Sequence, residues 1–352
     1  MTSPDNGFQM SCPRSHDDIE LIKLGHGSGG RMTDQLIDQI FMPYLRNEHL
    51  CEREDAALLS ISNERLAFTT DSYVVSPIIF PGGNIGSLSV HGTVNDLCMR
   101  GAKPQFISAA FIIEEGLKRE ILEAVVQSMQ TACLESGVVL ACADTKVVNR
   151  GCADKLFITT AGIGLITQEH VPSAAKARPG DIVICSGDIG RHGMAIMAVR
   201  EGLEFDTIIE SDSASLNTLA HNLCKIGPSL HVMRDITRGG LASVLNEIAV
   251  ASSVGIEIDE DKLPLDARVR AACELLGLDP LYVACEGRLV AIVEPEYADE
   301  ALLILQQSPH GEHARKIGKV VEEHSGRLVM TSLVGGKRIV DKLSGQQLPR
   351  IC

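Results

Sequence analysis

Apolar residues recur along this chain with two different periods, and the switches between them outline its organisation. In REILEAVVQSMQTACLE (119–135), Ile121, Leu122, Val125, Val126, Met129 and Cys133 recur at helical spacing, which predicts an amphipathic helix with that face inward. The following run, GVVLACADTK (137–146), is almost unbroken in its apolar character up to Asp144 and predicts a buried strand. RLAFTTDS (65–72) predicts a short strand ending at Asp71, and KLFITTAGIGLI (155–166) a strand that closes the first half. A new start follows at AKARPGDIVICSGDIG (175–190), where Pro179 and Gly180 supply the turn. Strands are expected at DIVICSG, GIEI and RLVAIV, and helices at GGLASVLNEIAVASS and YADEALLILQQ; the first of these helices carries Leu241, Val244, Leu245 and Ile248 inward.

This alternation predicts a mixed α/β fold of two similar-sized domains, each a mixed sheet flanked by helices. The boundary falls near 166–178, giving a leader over 1–18, domains over 19–165 and 176–338, and a polar, mobile tail over 339–352. With 352 residues and 45% hydrophobic content there is ample material for two cores, and 3% aromatics without tryptophan makes them aliphatic. A formal charge of -14 argues against nucleic-acid binding, which favours basic patches and stacking platforms. No apolar run is long enough to span a membrane, and the leader has no signal-peptide pattern. The eleven cysteines form no C-x-x-C pair and no zinc spacing, so most are expected to be small buried hydrophobes in a reducing cytosol.

The candidate chemistry lies in glycine-rich turns and strand-end carboxylates. GHGSGG (Gly25–Gly30) could bring backbone N–H groups of Gly27, Ser28, Gly29 and Gly30 against phosphate, or could be a flexible linker. Asp55, Asp71, Asp96 and Asp144 each sit at a predicted strand end or turn beside small residues, a pattern suited to Mg²⁺ shared with ATP. Asn95 is a secondary candidate, and Lys146 shares a strand face with Asp144. RDITRGGL (234–241) puts Asp235, Arg238 and Gly239 at a helix start, where free N–H groups suit a phosphate. SGDIGRHG (186–193) is a weaker version, in which His192 is expected to be structural. Glu286, in ACEGRL, could act as a base. The chain ends on PRIC, with Cys352 beside its own carboxylate.

Taken together, GHGSGGR, TDSYVVSPIIFPGGNIGSLSVHGTVNDL, ADTKVVNRG, RDITRGGL, CELLGLDPLYVACEG and the terminal PRIC resemble the HypE family of hydrogenase maturation factors. These are carbamoyl dehydratases in the PurM-like superfamily of aminoimidazole ribonucleotide synthetase. The resemblance runs from about residue 21 to the end; Cys285 departs from it, standing where the family often has Asn. It implies a homodimer with sheets paired across the interface, ATP and Mg²⁺ in a cleft between the halves, and a carbamoyl group carried on Cys352. The partners implied are the carbamoyltransferase HypF, which loads the thiol, and a HypC–HypD complex, which receives cyanide for the iron of nickel–iron hydrogenase. ATP-dependent dehydration would turn the thiocarboxamide into a thiocyanate, with Lys146 and Glu286 matching positions suited to proton removal. A relative that handles selenide would carry a reactive Cys or selenocysteine in its glycine-rich loop, where this chain has His26 and Ser28. An extended tail from Leu343 to Cys352 would reach roughly 30 Å, enough for one thiol to visit two enzymes.

Overall fold

The computed structural model describes residues 21–203, 208–343, 345, 348 and 350–352, so the leader expected over 1–18 lies outside the described residues. Short helices α1 (Arg31–Leu36), α2 (Met42–Leu45) and α3 (Glu48–Glu52) come first. The first sheet comprises β1 (Ala57–Ile61), β2 (Glu64–Tyr73), β5 (Lys103–Glu114), β6 (Val139–Val148) and β7 (Leu156–Ile166), in the order β1-β2-β7-β5-β6. A small hairpin of β3 (Ile79–Phe80) and β4 (Gly83–Asn84) stands beside it. Helices α4 (Ile85–Met99) and α5 (Arg119–Ser136) follow in this half, and α4 packs on β2 and β7. Asn84 caps α4 by accepting from the N–H groups of Gly86 and Ser87.

The second sheet has β8 (Ile182–Cys185), β9 (Leu230–Asp235), β10 (Gly255–Asp259), β11 (Leu289–Val293), β12 (Arg315–Val321), β13 (Leu328–Thr331) and β14 (Lys337–Val340). Their order is β14-β13-β10-β12-β8-β11-β9, with only β10 and β13 parallel. With it run α6 (Arg191–Arg200), α7 (Asn217–Leu223), α8 (Gly240–Ser252), α9 (Ala267–Leu276) and α10 (Ala298–Gln307). The four apolar residues expected on the inner face of α8 are all buried.

Two periodicity readings are corrected. Val126 of α5 is exposed: the buried stripe runs through Val125, Met129, Ala132 and Cys133, one step around the helix. The strand expected to be buried at 137–146 forms, but β6 is solvent-facing along nearly its whole length. Among the described residues it is an edge strand bonded only to β5, and no helix covers the outer face of its sheet. The register shows what that face carries. One row across it is Asp144, Ala110, Thr159 and Ser72; a second is Phe106, Ile163 and Phe68. Both rows share one face, because the residues on each strand differ by four positions.

A single aliphatic core crosses from one half to the other, joining Ile85, Leu88 and Val94 to Ile184, Met194 and Leu289. Polar pins reinforce the junction. Asn95, on the buried side of α4, donates to the Ala214 carbonyl (3.0 Å) and accepts from the Leu216 N–H (2.8 Å). Arg100 pairs with Glu54 at 2.8 Å, and Glu54 also accepts from the N–H of Ala174 in the connecting segment. Replacing Asn95 by Ala strands a buried carbonyl and a buried N–H, which together cost about 2–4 kcal/mol. Urea unfolding of Asn95→Ala is therefore expected to show a midpoint clearly below that of the unmodified protein; an unchanged midpoint would contradict this clamp.

Candidate active site

A cleft of about 180 Å³ opens between the two halves, and its walls come from both. Asp55 lies in the bend before β1, Asp71 near the end of β2 and Asp96 on α4; from the other half come Asp235 at the tip of β9, Arg238 in the turn before α8, and Glu286 ahead of β11.

Carboxylate oxygens of Asp55, Asp96 and Asp235 lie within 4.8 Å of one another. Burial, then repulsion from neighbouring acids, pushes Asp55 and Asp96 well above the usual carboxylate range. Asp235 is raised to about 6, chiefly by burial, with Arg234 opposing the rise. Arg234 pairs with Asp55 of the other half at 2.7 Å and with Glu247 at 3.1 Å. Thr69 donates its hydroxyl to Asp96 Oδ2 at 2.8 Å. One oxygen of Asp55, Oδ2, is buried without a hydrogen-bond partner. Three hard oxygen donors converging with an unspent lone pair and too little positive charge fit a divalent cation such as Mg²⁺.

Asp55 and Asp96 meet, and Asp235, expected only as a phosphate contact, joins them. Asp71 lines the same cleft but lies outside the trio. Asp144 is a correction: it stands three strands from β2, on the outer face, paired at 3.1 Å with Lys146. The physical reason is strand parity. Asp144 is in register with Ser72, and Asp71, one residue away, faces the other side of the sheet. Lys146, two residues on, shares the outer face, so neither residue enters its own chain's cleft. Asn95 is also corrected, because both ends of its amide are engaged in the clamp.

The glycine-rich loop lies on the Arg238 turn at the edge of the cleft. Arg238 Nη1 donates to the Gly27 carbonyl (3.3 Å) and Ser243 Oγ to that of Gly29 (3.2 Å). Gly29 has φ +73°, and a Cβ there would lie 2.9 Å from the Arg238 carbonyl, so this approach requires glycine. Gly30 packs as closely on Leu343. Ser28 spends its hydroxyl on the Gly25 carbonyl, and the Gly29 N–H bonds Thr33. These two groups are engaged within the loop rather than free to cradle phosphate. Gly239, at φ +81°, opens α8 next to Arg238.

Cys352 lines the same cleft. Burial raises its thiol pKa far above the ordinary value; Arg238 opposes the rise, and Glu286 and Asp71 add to it. Glu286 is itself driven well up by burial and by Asp71, Asp235 and Asp212, and its Oε1 has no partner. Arg238, held protonated, faces Cys352, Asp71 and Glu286 together. The unusual Cys285 keeps a hydrogen bond, accepting from the Gly190 N–H at 3.1 Å. Sequence reasoning missed Arg234 as a partner of Asp55. The adjacent Arg-Asp pair at a strand end was the available signal, but the pairing spans 179 positions and is visible only in three dimensions.

The chain matches the models for the AIR synthase related protein N-terminal domain over residues 53–166 and C-terminal domain over residues 178–331. It is 49% identical over 332 residues to the carbamoyl dehydratase HypE of Cupriavidus necator, covering 94% of this chain and 95% of that one. Among solved structures it resembles the hydrogenase maturation protein HypE in complex with ATP, with a TM-score of 0.80 and 48% identity over 93% of this chain and 98% of that one. It also resembles a HypE–HypF complex, with a TM-score of 0.84 and 48% identity over 88% of this chain and 99% of that one. Two AIR synthase related domains in order, near-complete coverage and about half of all positions identical leave one assignment: the chain belongs to the carbamoyl dehydratase HypE family of hydrogenase maturation proteins.

Proposed function

We propose that this protein uses ATP to dehydrate a carbamoyl group carried on Cys352, giving a thiocyanate that supplies cyanide for the iron of a nickel–iron hydrogenase. The observation that carries this reading is the convergence of the terminal thiol, three crowded carboxylates, Arg238 and Glu286 in one cleft. A thiol carrier without catalysis would have no use for the carboxylates.

An amide oxygen is a very poor leaving group, so dehydration needs it converted to a phosphate ester before it departs. Asp55, Asp96 and Asp235 would hold Mg²⁺, which supplies charge neutralisation for the phosphates of ATP when bound. Arg238 is placed to orient the carbamoyl oxygen and to balance the charge that develops as it attacks the γ-phosphorus. Gly27, Gly29 and Gly239 adjoin Arg238, and Asp71 lies on the cleft wall. Departure of phosphate from the carbon leaves a C≡N bond once both nitrogen protons are gone. Glu286 is the proposed acceptor of these protons, being the carboxylate beside the thiol with an oxygen unspent. The net change is thiocarboxamide plus ATP to thiocyanate, ADP and phosphate, the lost oxygen leaving in the phosphate.

Loading has a different requirement. The attacking species is the thiolate, which the enclosed cleft disfavours, so the tail accepts its carbamoyl group outside, from a HypF carbamoyltransferase. A HypC–HypD complex is the proposed recipient of cyanide, and the reducing cytosol the proposed compartment. We further propose a homodimer through the uncovered sheet face. Phe68 (40% exposed), Phe106 (51%), Ile112 (41%) and Ile163 (41%) are too apolar a set to leave in water. In such a dimer Lys146 and Asp144 would meet the partner copy instead of their own cleft.

Asp96→Asn and Asp235→Asn are each expected to abolish ATP turnover while Cys352 is still carbamoylated by the transferase. Turnover within about twofold of normal in either variant would remove the metal role. Glu286→Gln is expected to slow dehydration by at least about 100-fold with ATP binding retained; a smaller loss would assign the proton transfer elsewhere. Phe106→Asp is expected to sediment as a monomer, and a dimer of unchanged stability would refute the sheet-face interface.

A further inference from the structure

The last three residues are gripped through their backbone, and by a histidine that the chemistry above does not use. The Arg350 carbonyl accepts from the Ser76 N–H (3.1 Å) and from Arg200 Nη2; the Ile351 carbonyl faces His192 Nε2 at 2.5 Å; a main-chain carboxylate oxygen of Cys352 accepts from the Val74 N–H (3.1 Å). Three consecutive acceptors are thus all satisfied. Arg200 also donates to the Ser76 carbonyl, tying the segment after β2 to the tail. Outside the grip, the Arg350 guanidinium pairs with Asp154. Ile351, 4% exposed, and Leu348, 8% exposed, are built into the main core beside Val283 and Ala284. Gly193 leaves room for this, since a Cβ there would lie 2.5 Å from Val283 and 3.2 Å from Leu348.

His192 is fully buried, so its protonation pattern can be read from its neighbours. A carbonyl can only accept, so Nε2 carries the proton. Nδ1 must then accept from the hydroxyl of Ser211, 2.7 Å away, and that oxygen in turn accepts from the Ser213 N–H at 3.0 Å. Ser211 is fixed by its own N–H, which donates to the Pro81 carbonyl. The ring, steadied by an edge-on contact with Phe80 (centroids 5.4 Å apart), is therefore pre-set as a donor aimed at the tail.

We propose that His192, with Arg200, is a positioning latch that holds the C-terminal tail in the dehydration cleft by capturing its backbone carbonyls. The latch touches main chain and leaves the sulfur alone, so it accepts the tail whether Cys352 carries a thiol, a thiocarboxamide or a thiocyanate. Reading what the sulfur carries is left to Arg238 and Glu286. Seating and chemistry thus fall to different side chains, which lets one tail return to the cleft in successive chemical states. This inference rests on the dehydratase reading for its purpose, but its geometry can be tested without any turnover.

The test is peptide-resolved alkylation of the full-length protein by iodoacetamide, without nucleotide. A seated Cys352 is only partly exposed and so reacts more slowly than a free tail would, and buried Cys98 and Cys285 report on the integrity of the fold. His192→Ala is expected to speed alkylation of Cys352 roughly three- to tenfold, the worth of one hydrogen bond, with Cys98 and Cys285 still protected. His192→Gln, which keeps an N–H donor, should restore much of the protection. Asp154→Ala, a change at a half-exposed ion pair that leaves the core untouched, should speed Cys352 by a smaller factor, about twofold. Cys352 reacting no faster in His192→Ala, or Cys98 and Cys285 rising in parallel with it, would overturn the latch. Neither result would bear on whether the unmodified protein dehydrates its carbamoyl group.

Discussion

Three carboxylates from two domains must share a space less than 5 Å across, and the rest of the molecule is arranged around that constraint. Asp55, Asp96 and Asp235 come from a bend, a helix and a strand tip, so no local structure could bring them together. The continuous aliphatic core, the Asn95 clamp and the Arg100–Glu54 pair fix the two halves closely enough to hold them there. Repulsion inside the trio is only partly offset by Arg234, and the raised carboxyl groups record what remains. A site that is electrostatically incomplete in this way is suited to take up a cation together with the phosphates it accompanies.

In the proposed reaction the substrate is part of the chain. A bound small molecule must be captured afresh each time, whereas a tethered sulfur meets its cleft at a high effective concentration. The cost is that the same sulfur must also leave to be loaded. Burial of the thiol beside Glu286 and Asp71 suits the cleft to a neutral cargo and makes it a poor place for a thiolate. Ionisation and loading outside, then dehydration inside, follow from that one difference in environment. The tail expected to be mobile is seen here at its inner station, its last residues seated.

Much of this was legible in the sequence because it depends on local pattern. The helical face of α8, the strand at DIVICSG, the glycine pair that opens α8 and the terminal cysteine all announce themselves within a few residues. What escaped was set by relations between distant segments. Asp144 has the look of a strand-end ligand, and only the pleat and the register of four strands put it on the outer face. The run around it reads as buried because apolar content alone does not distinguish a covered strand from an exposed edge strand. Asn95 reads as a ligand by its neighbour Asp96, yet a step of about 100° around α4 turns it into a clamp. His192 was expected to be structural, and its use became apparent only once the tail was seen against it.

The account stands on Cys352 being both the carrier and the place of reaction. The most direct measurement is the intact mass of the protein after incubation with the carbamoyltransferase and its substrates, before and after Mg-ATP is added. The expected result is a gain of about 43 Da confined to the C-terminal peptide, followed by a loss of about 18 Da on adding Mg-ATP. An adduct that stays at its full mass in the presence of Mg-ATP, or no adduct on Cys352 when the transferase is active, would contradict it.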